Sequence, residues 1–262
     1  MFAAELPSRR SAIVTSLRTA GCVFAEDEAD LLLSTARSPT HLTAMLDRRV
    51  AGVPLEYVLG WVEFCGLRIA VEPGVFVPRR RTELLVCQAQ TLIRSRAVLL
   101  DMCCGSGAVG AAVAGAVGEL ELYAADIDPA AVRCARRNVA SVGGHVYQGD
   151  LYEPLPPSLQ GRVEVLVANA PYVPSDSIAM MPPEARDHEP LIALDGGPDG
   201  LDVQRRVAAG APLWLVPGGQ LLIETSERQA DSTAELVACY GLIPQVIRSD
   251  ELDATVVLGT LP

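Results

Sequence analysis

One stretch limits the fold more than any other. Ala97-Val98-Leu99-Leu100-Asp101-Met102-Cys103-Cys104-Gly105-Ser106-Gly107 runs on into Ala108-Val109-Gly110-Ala111-Ala112-Val113-Ala114. Its first part is a short apolar run, the pattern of a strand buried on both faces. A tight Gly-rich turn follows, then an uncharged segment of helix-forming alanines and valines. The order predicted is strand, turn, buried helix. Gly105 and Gly107 lack a Cβ, so a ligand can approach the backbone closely there. Free N–H groups at the helix start favour a negative group on that ligand. A second apolar run, Leu120-Glu121-Leu122-Tyr123-Ala124-Ala125, closes on Asp126. An acid at the end of the second strand is placed to hold ribose hydroxyls. Together these features predict a nucleotide-type cofactor site on a doubly wound α/β sheet.

Gly105, Gly107 and Gly110 spell G-x-G-x-x-G, the dinucleotide fingerprint. Taken alone the match also fits a tight strand–helix connection with no ligand. With Asp126 it favours a nucleotide site, yet it does not separate NAD from S-adenosylmethionine. Asp101, at the end of its strand, is either a site acid or a local turn cap.

The chain has 262 residues, half of them hydrophobic, enough for one large domain or two. Its formal net charge of −11 disfavours a general nucleic-acid binder, because an acidic surface repels phosphate backbones. Arg79-Arg80-Arg81 is the one basic run, and the chain contains no lysine. The seven cysteines form no C-x-x-C pair, which argues against structural zinc and a disulfide framework and for a reduced, cytosolic protein. Neither a secretory leader nor a membrane span is expected.

Up to about Gly52 the pattern is helical. Gly21 is read as a helix stop, and Thr40 as the cap of a third helix with the apolar stripe Leu42, Met45, Leu46 and Val50. Trp61 to Val71 reads as a β-hairpin about Cys65-Gly66. A helix opens near Arg81 or Thr82, and another opens at Asp128-Pro129. Val146 to Asp150 is read as a third strand, whose closing acid either reaches an adenine amino group or is a loop residue. Val163 to Ala168 is a fourth strand, ending at Asn169-Ala170-Pro171-Tyr172. The segment 173–200 is rich in Pro, Gly and Asp, which suits a lid or binding loop; His188 within it is read as a solvated residue. Leu201 to Ala211 is read as a helix, Gly218 to Glu224 as a fifth strand and Glu227 to Tyr240 as a helix. Two final strands are placed at 244–248 and 255–259.

Asn169 to Tyr172 sits on the sheet edge that carries the glycines, where ligands bind in such sheets. The chain resembles the N5-glutamine methyltransferases that act on polypeptide-chain release factors. The resemblance rests on Arg48 to Gly60, the hairpin with Phe64 and Gly66, Val77-Pro78-Arg79 with Thr82-Glu83, the glycine turn, Asp126, Asn169 to Tyr172, Glu189-Pro190-Leu191 with Ala193-Leu194, and Gly218-Gly219. It implies a seven-stranded Rossmann-like methyltransferase sheet behind a small N-terminal helical domain and a linking β-hairpin. The boundaries expected are 1–55 for a helical substrate-recognition domain, 56–76 for the hairpin linker and 77–262 for the methyltransferase domain. The cofactor implied is S-adenosylmethionine. Cys103, Cys104, Gly105, Ser106 and Gly107 would wrap its methionine part, Asp126 would hold its ribose, Leu151 would lie by the adenine, and Asn169 would adjoin it. The partner implied is a protein substrate, a release factor, in the cytoplasm.

The family motif is Asn-Pro-Pro-Tyr, and Ala170 replaces its first proline. A glutamine amide nitrogen is a poor nucleophile, since its lone pair is delocalised into the carbonyl. Two acceptors on its N–H bonds would aim that lone pair and stabilise developing charge. The Asn169 side-chain oxygen is one acceptor, and the backbone carbonyl at 170 is the other, which Ala supplies as well as Pro. Pro171 still pushes Ala170 toward an extended conformation. Tyr172 offers an aromatic face to the planar amide. Two related activities use similar chemistry: glutamine methylation of a ribosomal protein, and amino-group methylation of nucleic acid. An NAD-dependent oxidoreductase would fit the glycines but leaves Asn169 to Tyr172 without a role.

Overall fold

The computed structural model describes residues 6–262. Helices α1 (Leu6–Thr19), α2 (Ala25–Thr35), α3 (Pro39–Val50) and the short α4 (Leu55–Leu59) form a bundle. Ile13, Val14, Leu17, Leu32, Met45 and Val58 are buried at its centre. Ser38, not Thr40, caps α3: its side chain accepts the His41 N–H, and Pro39 takes the first helical position. A serine followed by proline supplies both the acceptor and the preset φ that a helix start needs.

β1 (Trp61–Phe64) and β2 (Leu67–Ala70) form the expected antiparallel hairpin. Cys65 and Gly66 both adopt positive φ, which matches the strand twist in a two-residue turn. Beyond α5 (Glu83–Leu92) the chain builds β3 (Val98–Met102), α6 (Ala108–Val117), β4 (Glu121–Asp126), α7 (Pro129–Asn138), β5 (His145–Gln148) and β6 (Val163–Ala168). After α8 (Pro183–His188) come α9 (Asp202–Trp214), β7 (Leu215–Thr225), α10 (Ala230–Cys239), β8 (Ile243–Ser249) and β9 (Ala254–Thr260). The segment 173–200 is thus partly helical. α9 runs on past Ala211 with Pro212 inside it, so the expected stop there does not occur.

The seven strands order as β5-β4-β3-β6-β7-β9-β8, with β9 antiparallel to both its neighbours and the other pairs parallel. Alternation along the strands feeds two cores. Leu99, Ala124, Val165 and Leu222 pack with α5, α6 and α7 on one face. Leu100, Met102, Leu166, Leu221 and Ile223 pack with α9 and α10 on the other. The chain winds outward from β3 through β4 to β5, then returns to β6 on the opposite side. The carboxyl ends of β3 and β6 therefore flank a topological switch point, where such sheets open a crevice for ligands.

Candidate active site

A cavity of about 420 Å³ lies at that switch point, a size suited to a cofactor. The turn after β3 supplies Cys103, Cys104, Gly105 and Ser106; the end of β4 supplies Asp126; Asp150 and Leu151 follow β5; and Asn169, Ala170, Pro171 and Tyr172 follow β6. The segment 173–200 covers it with Met181, Glu189, Ile192 and Leu194, and Phe76 and Arg79 enter from the stretch before α5.

The three glycines divide their work. Gly105 has positive φ, and a Cβ there would point into open space. Of the three, it leaves its backbone open to the cavity. Gly107 lies behind the wall: a Cβ would sit 3.0 Å from Ala135 Cβ. Gly110 lets α6 approach β4, since a Cβ would come within 2.9 Å of Leu122. Two non-glycine residues on the wall, Cys103 and Leu151, also hold positive φ. Strained backbone of this kind is retained where surrounding structure and site geometry demand it.

Both Asp126 oxygens are steered by backbone: Oδ2 accepts the Gly105 N–H at 2.8 Å and Oδ1 the Asp128 N–H at 2.9 Å. Each oxygen keeps a lone pair for a hydroxyl. Burial raises its pKa, opposed by those N–H groups. Asp150 pairs with Arg206 at 2.7 Å on the rim. Asn138 ties the glycine turn to the hairpin by donating to Ser106 O and Ala70 O. His188 is half-buried and absent from the cavity wall.

Asp101 is 2% exposed, and its Oδ2 accepts the Gly110 N–H at 2.9 Å. Burial pushes its carboxyl up to about 7, the Gly110 bond opposes this, and the Asp126 charge adds to it. The folded value lies above the ordinary 3.8. The proton thus favours the fold; that contribution is complete below the unfolded value and is lost as pH rises through the folded one. Without cofactor, the protein is expected to lose stability between about pH 4 and about pH 7, and Asp101→Asn is expected to flatten that slope. Urea midpoints across that range, parent against variant, check this; parallel curves would contradict it.

Asn169 donates its Nδ2–H to Thr82 Oγ1 at 3.3 Å, which leaves the side-chain oxygen for the cavity. Thr82 stands at the start of α5, yet its side chain makes no cap bond to the helix. The Tyr172 hydroxyl donates to Glu224 Oε1 at 3.2 Å, and its carbonyl accepts from Gln229 Nε2 at 2.9 Å. Burial, then the Glu224 charge, raises the Tyr172 pKa well above its ordinary range. Glu189 accepts from Val77 N–H and from Arg79 at 2.6 Å, fastening the segment 173–200 to the stretch before α5.

A Methyltransferase small domain model matches residues 66–181. A release factor glutamine methyltransferase of Geobacter sulfurreducens is 38% identical over 209 residues, covering 78% of this chain and 72% of that protein. The chain belongs to the release factor glutamine methyltransferase family. The relative of the same name from Mycolicibacterium smegmatis is 39% identical over 215 residues, covering 81% of this chain and 74% of its own. The fold is shared with a methyltransferase from Pyrococcus furiosus at a TM-score of 0.57 and 17% identity, covering 74% of this chain and 89% of that one. This methyltransferase uses S-adenosylmethionine. Its residues suit that group: an open backbone at Gly105, an acid at Asp126 and an apolar wall at Leu151 share one cavity. Among the described residues no helix is long and apolar enough to cross a membrane.

Proposed function

We propose that this family member methylates the N5 side-chain amide of a glutamine in a release factor. The observation that carries the reading is the Asn169 amide, whose nitrogen is held by Thr82 while its oxygen is left to the cavity beside the cofactor wall. Bound S-adenosylmethionine supplies an electrophilic methyl group. Asn169 Oδ1 and the Ala170 carbonyl each accept one N–H of the substrate amide, which aims its lone pair and stabilises charge as it develops on nitrogen. Ala170 is buried and lines the same cavity. Tyr172 is held by Glu224 and Gln229 and offers its ring to the planar amide.

The names of the Geobacter and Mycolicibacterium relatives support a release factor as the substrate. We assign substrate recognition to the helical bundle as part of this reading. It is joined to the cover of the cavity where Arg49 of α3 pairs with Glu184 of α8 at 2.6 Å.

The test is transfer of labelled methyl from S-adenosylmethionine to release factors with and without their target glutamine. Label on the intact factor alone is expected; label on both, or on neither, would overturn the assignment. For the cofactor wall, Asp126→Ala is expected to weaken S-adenosylmethionine binding by about 1.5–3 kcal/mol, the scale of a hydrogen bond to a charged group. Calorimetry showing unchanged affinity would remove Asp126 from the site.

A further inference from the structure

The contact between Asn169 and Thr82 has two possible senses. A threonine hydroxyl both donates and accepts, and so does an asparagine amide. If Thr82 accepts from the Asn169 nitrogen, the amide oxygen faces the cavity. If Thr82 donates to the Asn169 oxygen, the amide nitrogen faces the cavity and repels the substrate N–H groups. Something must decide between them, and nothing within the motif does.

The neighbouring strand carries a group able to decide. Glu224, near the carboxyl end of β7, is 2% exposed. Its Oε1 takes the Tyr172 hydroxyl, while its Oε2 is buried without a hydrogen-bond partner among the described residues. A carboxylate oxygen left bare in the interior is costly, so a nearby donor hydrogen is strongly drawn to it. Thr82 is also 2% exposed, and its hydroxyl is not spent on capping α5. We infer that Glu224 is a positioning residue: it takes the Thr82 hydroxyl hydrogen, so Thr82 can only accept from Asn169, whose oxygen then faces the substrate amide. This rests on the role proposed for Asn169. Burial raises the Glu224 pKa, while Thr82, the Arg81 charge and Tyr172 favour its ionised form, the form that accepts. One carboxylate thereby orders both ends of the tetrapeptide, Tyr172 directly and Asn169 through Thr82.

The experiment measures kcat, KM for the release factor and cofactor affinity in four variants of the full chain. Glu224→Gln keeps the shape but presents a donor to Thr82, freeing the hydroxyl to donate to Asn169. Its kcat is expected to fall about 10- to 100-fold, the scale of a misaimed catalytic group, with KM and cofactor affinity near parental. Thr82→Val is expected to fall similarly, and Thr82→Ser, which keeps the hydroxyl, to recover most of the rate. The double variant Thr82→Val with Glu224→Gln should fall no further than either single change, because both break one connection. Additive losses, or equal activity of the Ser and Val variants, would overturn the inference. If Glu224→Gln folds poorly, Glu224→Asp takes its place: a fall in kcat with KM and cofactor affinity near parental is expected, and an unchanged kcat would overturn the inference. Asn169→Ala separates the two levels: if it is near parental, the proposed function fails; if it falls while Glu224→Gln does not, only the positioning by Glu224 fails.

Discussion

Asn169→Ala is expected to lower kcat on the protein substrate by about 10²–10³, the cost of removing one oriented polar partner from a developing charge. The variant keeps the buried strand β6 that carries the motif, so fold and cofactor binding are expected to change little. The loss should fall on kcat rather than on KM, because the acceptor matters most as positive charge builds on nitrogen. Asn169→Asp is a finer probe. It retains an oxygen for the substrate but loses the N–H that Thr82 holds, and it adds a charge. Its rate should lie between those of the parent and the alanine variant. Steady-state kinetics with a release factor, on protein shown to be folded, check this. Near-parental turnover in Asn169→Ala would reduce this residue to a turn former.

The largest expected loss of stability lies far from the chemistry. Arg49→Ala should cost about 3–5 kcal/mol, because it strands Glu28 as an uncompensated charge in the interior. Arg49 and Glu28 side chains are 8% and 10% exposed and meet at 2.7 Å, with a second bond at 3.0 Å. Arg49 also donates to the Val53 carbonyl at 3.3 Å, closing the end of the bundle. Its bond to Glu184 is more exposed on the acid side and contributes less. Replacing both partners, Arg49→Met with Glu28→Leu, should recover much of the loss, since an apolar pair leaves no bare charge. Urea unfolding of the single and double variants measures this. A single-variant loss under about 1 kcal/mol, the scale of an exposed pair, would show that Glu28 finds water or another partner.

The sheet was legible because buried parallel strands read as apolar runs, and Ala97 to Leu100 is such a run, closed by Asp101. The site was legible in part for the same reason: Asn169 and Gly105 each follow such a strand, and winding order brings the two strand ends together. The glycine fingerprint said less than its spacing suggests. Gly105 alone of the three faces the cavity, whereas Gly107 and Gly110 serve helix packing. Thr82 illustrates what local rules miss. The sequence places it near a helix start, and a contact across 87 positions takes its hydroxyl. Glu224 only closes the fifth strand in the sequence, and its partner Tyr172 lies 52 positions away. Glu189 and Arg79 stood among the residues of the family resemblance, yet only the fold shows that they clasp the segment 173–200 to the stretch before α5. Such pairings depend on where strands and loops end in space, and residue type at a position does not carry that.

The central claim is that a glutamine amide nitrogen receives the methyl group. Fragmentation mass spectrometry of a release factor, after incubation with this protein and S-adenosylmethionine, addresses it most directly. The account predicts a single added methyl group on the side-chain amide of one glutamine, absent when that glutamine is replaced and strongly diminished with the Asn169→Ala enzyme. A methyl group on any other side chain, or on nucleic acid in place of the protein, would contradict it.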